Sequence, residues 1–261
     1  MSNVHCSKIA NMTNYLYKLR NCFWLVSCLC LLLTATTAVA EYKKPDKASS
    51  PDADTTTSTA TRGGCLNSDN TFLTAIAPYS HVGQTISTHP TFAWFIPDSE
   101  YFPLEFHLEE DTGNSQLKTV YKQELTSKPG IMSLTLPQDL PGLSAEKKYR
   151  WKVVMRCTRY QAVVTMAEVE VVTSPSQLKT ALNNTSGTSR LVDLYAETGL
   201  WYDALAMSLT AADFHQEELQ NQLIRELAAV ETNSNFDFVR RQAEKLTKIS
   251  DRLKTSQIIE K

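Results

Sequence analysis

Glycine and proline are scarce in this sequence of 261 residues, and positively charged residues are not in excess. Eight glycines and ten prolines exclude a collagen-like chain and argue against a wholly disordered one, in which these residues abound. Lysine and arginine number 26 against 28 aspartates and glutamates, and the resulting net charge of −2 argues against a basic nucleic-acid binder. The composition indicates a globular chain with room for one large domain or two small ones.

The N-terminal apolar run is well short of the roughly 20 residues that a membrane-spanning helix needs. It covers residues 22–33, follows Lys18 and Arg20, and leads to the small residues Ala38-Val39-Ala40. This order of basic, apolar and small residues is typical of a secretory signal peptide, because signal peptidase accepts small side chains at Ala38 and Ala40. We therefore predict a signal peptide over residues 1–40, cleavage after Ala40, and a periplasmic or extracellular mature protein.

A bacterial lipoprotein signal is the minor alternative for this region, because Leu25-Val26-Ser27-Cys28 resembles a lipobox. The apolar run continues beyond Cys28, however, whereas a lipobox closes such a run. Cleavage after Ala40 would leave two of the six cysteines, Cys65 and Cys157, and a net charge of −5. In an exported protein this pair predicts a disulfide. Two buried thiols or half of a metal site are the alternatives.

Residues 41–62 contain one aromatic residue and no isoleucine, leucine, valine or phenylalanine. Such a segment cannot bury enough apolar area to offset the entropy lost on ordering. We therefore predict a disordered linker, with a glycosylated stalk as the alternative.

Residues 63–174 alternate apolar and polar residues as β-strands do. Phe92, Trp94 and Ile96 alternate along one run, and Asp111-Thr112-Gly113-Asn114 marks a hairpin between two others. Seven such runs without helical periodicity favour an antiparallel β-sandwich of immunoglobulin or fibronectin type III kind, with Trp94 and Trp151 in its core. Residues 140–143 before Tyr149 resemble the corner of such sandwiches, where a tyrosine hydroxyl bonds back to upstream backbone.

Residues 175–261 change to helical periodicity. Residues 188–213 match the offsets of one tetratricopeptide hairpin, with Leu191, Tyr195, Gly199, Trp201, Ala204 and Ala211 at the matching positions. Two further helices, at about 217–230 and 235–258, carry apolar stripes and are expected to cover that hairpin. The predicted fold class is therefore α+β with segregated parts, a sandwich followed by a small tetratricopeptide-like helical unit.

Motifs of catalysis are missing from the sequence. It contains no G-x-S-x-G, P-loop or H-E-x-x-H pattern, so we predict no catalytic residue, no metal and no cofactor. Glu105, His107 and Glu109 alternate on one strand and could hold a weak divalent cation, but a solvated edge face is the simpler interpretation. The outer face of a later strand carries the basic residues Arg150, Lys152, Arg156 and Arg159. These residues could meet an acidic polymer, although a solvated sheet face again suffices.

Several motifs stand in a fixed order between Arg62 and Leu209. They include Arg62-Gly63-Gly64-Cys65, His89-Pro90-Thr91-Phe92, Leu134-Thr135-Leu136-Pro137, Tyr149-Arg150-Trp151 and Trp201-Tyr202-Asp203-Ala204-Leu205. In order and spacing they resemble the cyanobacterial family called domain of unknown function 928. The resemblance implies an exported protein with a two-part domain, and it carries no known activity or catalytic residue to this chain.

The leading functional hypothesis is a non-enzymatic interaction or scaffold module of the cell envelope that binds another envelope protein. Tyr202 and Asp203 are the candidate contact residues, because Trp201 and Ala204 should point inward and leave these two exposed. A carbohydrate-binding or adhesive module with exposed tryptophans is the alternative, and an envelope hydrolase is a weaker one. We expect no nucleic-acid partner and no membrane span in the mature chain.

Overall fold

The computed structural model describes residues 41–52, 73–97, 101–113, 116–210 and 214–259. Within them, eight strands are followed by five helices, so the α+β class is confirmed. The strands are β1 Thr74–Ala75, β2 Gly83–Thr85, β3 Thr91–Ile96, β4 Pro103–Asp111, β5 Leu117–Thr126, β6 Gly130–Thr135, β7 Lys147–Arg156 and β8 Ala162–Val171. The helices are α1 Ser176–Asn184, α2 Thr188–Glu197, α3 Trp201–Ser208, α4 Phe214–Thr232 and α5 Asp237–Ile259.

The strands form two sheets. One has five strands in the order β2-β8-β7-β4-β5, and the other has three in the order β1-β3-β6. All pairs are antiparallel except β2 with β8, which run parallel with Gly83 opposite Val169. The prediction of a purely antiparallel arrangement is therefore wrong at this one edge, where a three-residue strand lies beside the last strand of the chain.

Aromatic side chains of the two sheets meet in one core. The Phe92 ring on β3 lies 5.3 Å from that of Phe106 on β4 and 5.5 Å from that of Trp151 on β7. Trp94 and Trp151 are completely buried, as predicted. Such rings bury large apolar areas, so this cluster contributes strongly to the stability of the strand region.

Two local predictions for the strand region are confirmed. The Tyr149 hydroxyl accepts a hydrogen bond of 2.9 Å from the backbone N–H of Ser144, five residues upstream. The predicted hairpin joins β4 to β5, with Gly113 at a φ of +82° and its N–H bonded to Asp111 Oδ1 at 2.8 Å. A positive φ favours glycine, so the turn residue matches the turn.

The helices cover the three-stranded sheet. Trp201 Nε1 on α3 donates to the carbonyl of Ile76 at 3.1 Å, and Gln242 Nε2 on α5 donates to that of Ala75 at 2.8 Å. All six residues of β3 are buried. None of the helices in the described ranges has the length and apolar character to cross a membrane.

The predicted linker is wrong for its first twelve residues, because residues 41–52 lie on the folded unit. Tyr42 is only 1% exposed, and its ring packs edge-on against Trp201 at 5.1 Å. The backbone N–H of Lys43 donates to the carbonyl of Ala196 at 3.1 Å. Although the segment has a single aromatic residue, that residue is buried and the neighbouring backbone is hydrogen-bonded, which offsets the cost of ordering. Residues 53–62 lie outside the described residues.

Candidate functional site

Tyr202 and Asp203 are buried, so their prediction as exposed contact residues is wrong. Tyr202 is 0% exposed and Asp203 is 8% exposed. The prediction assumed that α3 has one free face, as in an open helical repeat. Instead one face of α3 contacts Tyr42 and the Ile76 carbonyl through Trp201, while Tyr202 points between the two sheets.

The Tyr202 hydroxyl connects α3 to the five-stranded sheet. It accepts a hydrogen bond from Trp151 Nε1 at 2.8 Å and donates one to the Glu168 carbonyl at 2.9 Å. Its ring lies 5.7 Å from that of Phe92. Burial raises the pKa of Tyr202 well above its ordinary value, so the hydroxyl stays neutral and serves only as donor and acceptor.

Asp203 bonds to the loop that follows β2. Its Oδ2 accepts a hydrogen bond of 3.0 Å from the backbone N–H of Ile86. Burial raises the pKa of Asp203 to about 6, although hydrogen bonds from Ile86, Thr85 and Ser87 favour the ionised form. The carboxyl is therefore a fixed part of the contact between α3 and this loop.

A chain of four polar side chains joins the N-terminal segment to α4, and we call it the Tyr42 latch: Tyr42, His81, Ser80 and Glu231. The Tyr42 hydroxyl lies 2.8 Å from His81 Nε2, and His81 Nδ1 lies 2.8 Å from Ser80 Oγ. Ser80 Oγ in turn donates to Glu231 Oε1 at 2.7 Å. Glu231 also accepts the backbone N–H groups of Tyr79 and Ser80.

The direction of the hydrogen bonds fixes the tautomer of His81. Because the Ser80 hydroxyl donates to Glu231, it accepts from His81, which therefore carries its proton on Nδ1 and accepts from Tyr42 at Nε2. Burial, with Lys44 adding to it, lowers the pKa of His81 to about 3, so the ring is neutral. Burial also raises the pKa of Glu231, which the Ser80 hydrogen bonds oppose.

The latch does not have the arrangement of a serine nucleophile. In a catalytic triad the imidazole accepts the serine proton and the carboxylate bonds to the other ring nitrogen. Here the carboxylate bonds to Ser80 itself, and the far ring nitrogen of His81 is occupied by Tyr42. The arrangement joins the N-terminal segment, the loop before β2 and α4. Asp203 and Glu231, the buried acids with raised pKa values, are each bonded to backbone N–H groups in the same way.

Glu105, His107 and Glu109 lie on β4, which is an inner strand and not the solvated edge that we predicted. Their charges are paired with cations of the neighbouring strands. Glu105 contacts Lys122 at 3.0 Å, and hydrogen bonds from Lys122 and Arg156 lower its pKa to about 2. Glu109 contacts Lys152 at 2.7 Å. Within the described ranges, no group of three or more His, Cys, Asp or Glu side chains could hold a metal ion.

The basic residues on β7 are paired in the same way. Arg150 contacts Glu168 at 3.5 Å and Asp52 at 3.2 Å, and Arg156 contacts Glu105 at 2.8 Å. An acidic polymer would therefore have to break ion pairs to bind this face. Only Arg159, exposed between β7 and β8, lies outside this set of pairs.

The tryptophans predicted for the core offer no exposed stacking surface. Trp94, Trp151 and Trp201 are each 0% exposed. The carbohydrate-binding alternative required at least one of them at the surface, so its basis is lost.

Two strand edges differ in how they are protected. Among the described strands, β5 pairs only with β4, and β6 only with β3. The register shift between Leu108 and Glu109 leaves Val120 of β5 as a bulge, and β5 also carries Lys118 and Lys122. Bulges and lysines discourage further strand pairing. The sequence of β6 is uncharged, and its six-residue register with β3 is regular. The β6 edge therefore lacks these protections.

The signal-cleavage residues Ala38 and Ala40, and Cys65 of the predicted disulfide, lie outside the described residues. Cys157 is half-buried directly after β7 and packs against the core.

Local sequence patterns do not predict the Tyr42 latch, because its residues are far apart in the sequence. Ser80 and Glu231 are separated by 151 positions. The one usable signal was Tyr42, a lone aromatic in an otherwise polar segment. For α3 the signal was stronger. Its sequence WYDALAMS is apolar nearly all round, which is typical of a helix enclosed on every side.

Comparison with known proteins gives one family. The family model described as Domain of Unknown Function (DUF928) matches residues 57–234. No curated protein matches the chain.

Proposed function

Because the chain belongs to the DUF928 family, whose description assigns no activity, we propose its function from the geometry: a non-enzymatic protein-interaction module of the cell envelope. The observation that carries this proposal is the unprotected edge of β6. Among the described residues, the buried hydroxyl, imidazole and carboxyl groups of the Tyr42 latch, and those of Tyr202 and Asp203, are hydrogen-bonded within the fold.

The fold proposed within this function is an immunoglobulin-like sandwich braced by a tetratricopeptide-like hairpin. Three features support the first part: two facing sheets, the pairing of β2 with the last strand, and the hydrogen bond from Ser144 to Tyr149. The connection between α2 and α3 supports the second, since Gly199 has a φ of +79° there and both helices lie where the repeat pattern predicts them.

The occupant that we propose for the β6 edge is a short, extended, uncharged segment of another envelope protein. Its backbone would pair with β6, as in other cases of strand addition. Six residues span about 20 Å, which suits a peptide segment. A stable dimer of this chain would need about 1,000 Å² of buried surface, more than one such strand pair provides.

The experiment is capture of envelope proteins by the wild-type chain and two matched variants. Ser133 and Thr119 are exposed residues of β6 and β5, so a lysine at either position is solvated and the fold is retained. Ser133→Lys places a charge on the unprotected edge and should abolish capture. Thr119→Lys, on the edge that already carries lysines, should leave it unchanged.

Two outcomes contradict this proposal. A protein captured equally by all three chains binds elsewhere on the molecule. A dimer of the wild-type chain in light scattering that Ser133→Lys converts to monomer would identify a second copy as the occupant of β6.

Export and the Cys65–Cys157 disulfide are part of the same proposal. What supports them is the order of basic, apolar and small residues before Glu41 and the two cysteines that cleavage would leave. N-terminal sequencing of the exported protein should begin at Glu41. Thiol titration of the unfolded, unreduced protein should find no free thiol. A chain that begins at Cys28 would instead indicate a lipoprotein.

A further inference from the structure

The backbone just after the predicted cleavage site is held against an acidic group. The N–H of Tyr42 donates to Glu226 Oε2 at 3.0 Å, and that of Lys43 donates to the Ala196 carbonyl at 3.1 Å. The ring of Tyr42 is buried between His81 and Trp201. These contacts fix the position of residue 42 on both its backbone and its side chain.

The position of residue 42 determines where the nitrogen of Glu41 can lie. Successive residues span at most about 3.6 Å. The Glu41 nitrogen is therefore within about 7 Å of Glu226 Oε2. In the uncleaved chain this nitrogen is a neutral amide. After cleavage it is an α-ammonium group with a full positive charge at pH 7.

Among the described residues, Glu226 and the acids on the neighbouring helix form no ion pair. Asp193 and Glu197 lie on α2, and Glu226 lies on α4, where its second oxygen accepts a hydrogen bond from Gln222 at 2.9 Å. None of the ion pairs in the described part of the chain includes these three acids. Burial raises the pKa of Glu226, with Asp193 and the Glu41 side chain adding to the effect. A positive charge added beside these acids would therefore stabilise the ionised form of Glu226.

We propose that the α-ammonium group of Glu41, released by cleavage after Ala40, binds the Glu226 carboxylate, so that processing itself completes the docking of the N-terminal segment. This inference rests on the cleavage site of the proposed function. The ligand is the chain's own new terminus, which the Tyr42 contacts deliver to the site. No second molecule is needed.

The test compares chains that differ only at this nitrogen. Residues 40–261 form a compact unit of their own, so a chain that begins at Glu41 keeps the described fold. One sample has a free α-amino group, a second is acetylated at that group, and a third retains Ala38-Val39-Ala40 before Glu41. Each is prepared as wild type, as Glu226→Gln and as Glu218→Gln, an exposed acid on the same helix that serves as control.

The expected result is a charge effect that depends on Glu226. Acetylation or extension should lower the Tm by about 2–4 °C in the wild type and in Glu218→Gln. The effect should be clearly smaller in Glu226→Gln, where the glutamine oxygen still accepts the Tyr42 N–H and only the charges of Asp193 and Glu197 remain. The pKa of the free α-amino group should lie about one unit above its ordinary range near 7.7–8.0 and return to that range in Glu226→Gln.

Failure of this inference and failure of the proposed cleavage site would give different results. If acetylation acts equally in Glu226→Gln, or the α-amino pKa of the wild-type chain is not raised, this inference is wrong. That second measurement needs no variant, so it stands even if Glu226→Gln folds poorly. If the exported protein begins at a residue other than Glu41, the cleavage site of the proposed function fails, and this inference fails with it.

Discussion

The Tyr202 hydroxyl lies 2.8 Å from the indole nitrogen of Trp151, 51 positions earlier in the chain. Both side chains are completely buried. The hydrogen bond therefore joins the helical part to the strand part inside a shared core, where the buried Trp151 N–H would otherwise lose its acceptor. The strands and helices are thus parts of one folded unit, and α3 is a structural element between them.

We expect Tyr202→Phe to destabilise the fold. The ring would still fill its space, but the Trp151 N–H would lose its acceptor. A buried polar group left without its partner costs about 1–3 kcal/mol. Urea unfolding followed by circular dichroism measures the change. Tyr160→Phe, at a residue that is 88% exposed, is the control and should stay within about 0.5 kcal/mol of wild type. Equal stability of Tyr202→Phe and wild type would contradict the role of this hydroxyl.

Gly83 allows the Tyr202 ring to approach β2, so Gly83→Ala should also destabilise. An added Cβ would lie 2.7 Å from Tyr202 Cε2. Overpacking of this kind costs about 1–3 kcal/mol. In a Tyr202→Leu background the clashing ring atom is missing, and the same alanine should cost clearly less. A double-mutant cycle measures that coupling, and additive effects of the two changes would contradict the close contact.

The regular elements could be predicted from the sequence because their periodicity is local. The strand runs, the Asp111–Gly113 hairpin, the α2–α3 pair and the two long helices all occur close to their predicted positions. Each of these depends on residues a few positions apart. The prediction that Tyr202 and Asp203 are exposed failed because segments distant in the sequence cover the second face of α3. The local pattern of α3 does not show those segments.

The latch could not be predicted for the same reason. Its hydrogen bonds join four residues, and two of them, Ser80 and Glu231, are 151 positions apart in the sequence. The sequence around any one of these residues does not indicate its partner. The polar composition of residues 41–52 predicts a disordered segment. The structure differs because one buried aromatic residue, Tyr42, and a few backbone hydrogen bonds hold this short segment on the folded unit.

Docking of the N-terminal segment predicts resistance to trypsin. Lys43 and Lys47 are cleavage sites within it, whereas Lys44 is followed by Pro45 and is not cut by trypsin. Both sites should be cut slowly while Tyr42 is buried. Tyr42→Ala removes both the ring and the hydroxyl that bonds to His81. Loss of a buried aromatic ring costs about 3–5 kcal/mol, so local opening and cleavage should become at least about tenfold faster.

Mass spectrometry of the fragments locates the cuts. Tyr101→Ala is the matched control, since Tyr101 is 70% exposed and its loss should leave the cleavage rate unchanged. Rapid cleavage of the wild-type chain at these lysines would show that the segment is not docked.

The buried Asp203 predicts a specific dependence of stability on pH. Burial raises its pKa from 3.8 to about 6, so the folded state binds a proton that the unfolded state has lost across this window. The contribution of Asp203 is fully present below pH 3.8 and is lost as the pH rises through 6. Two pKa units correspond to about 3 kcal/mol. His81, whose pKa is lowered to about 3, acts in the opposite direction, so the wild-type curve alone does not isolate either group.

The difference in the free energy of unfolding between wild type and Asp203→Asn isolates the contribution of Asp203. Asparagine keeps an oxygen that can accept the Ile86 N–H but has no proton to lose. The free energy of unfolding of wild type minus that of the variant should therefore fall by up to about 3 kcal/mol between pH 4 and pH 6, and stay level above. Asp139→Asn, at an exposed residue, should give a level difference over the same range. Urea titrations at each pH measure both, and a level difference for Asp203→Asn would mean that this carboxyl is solvated in the folded protein.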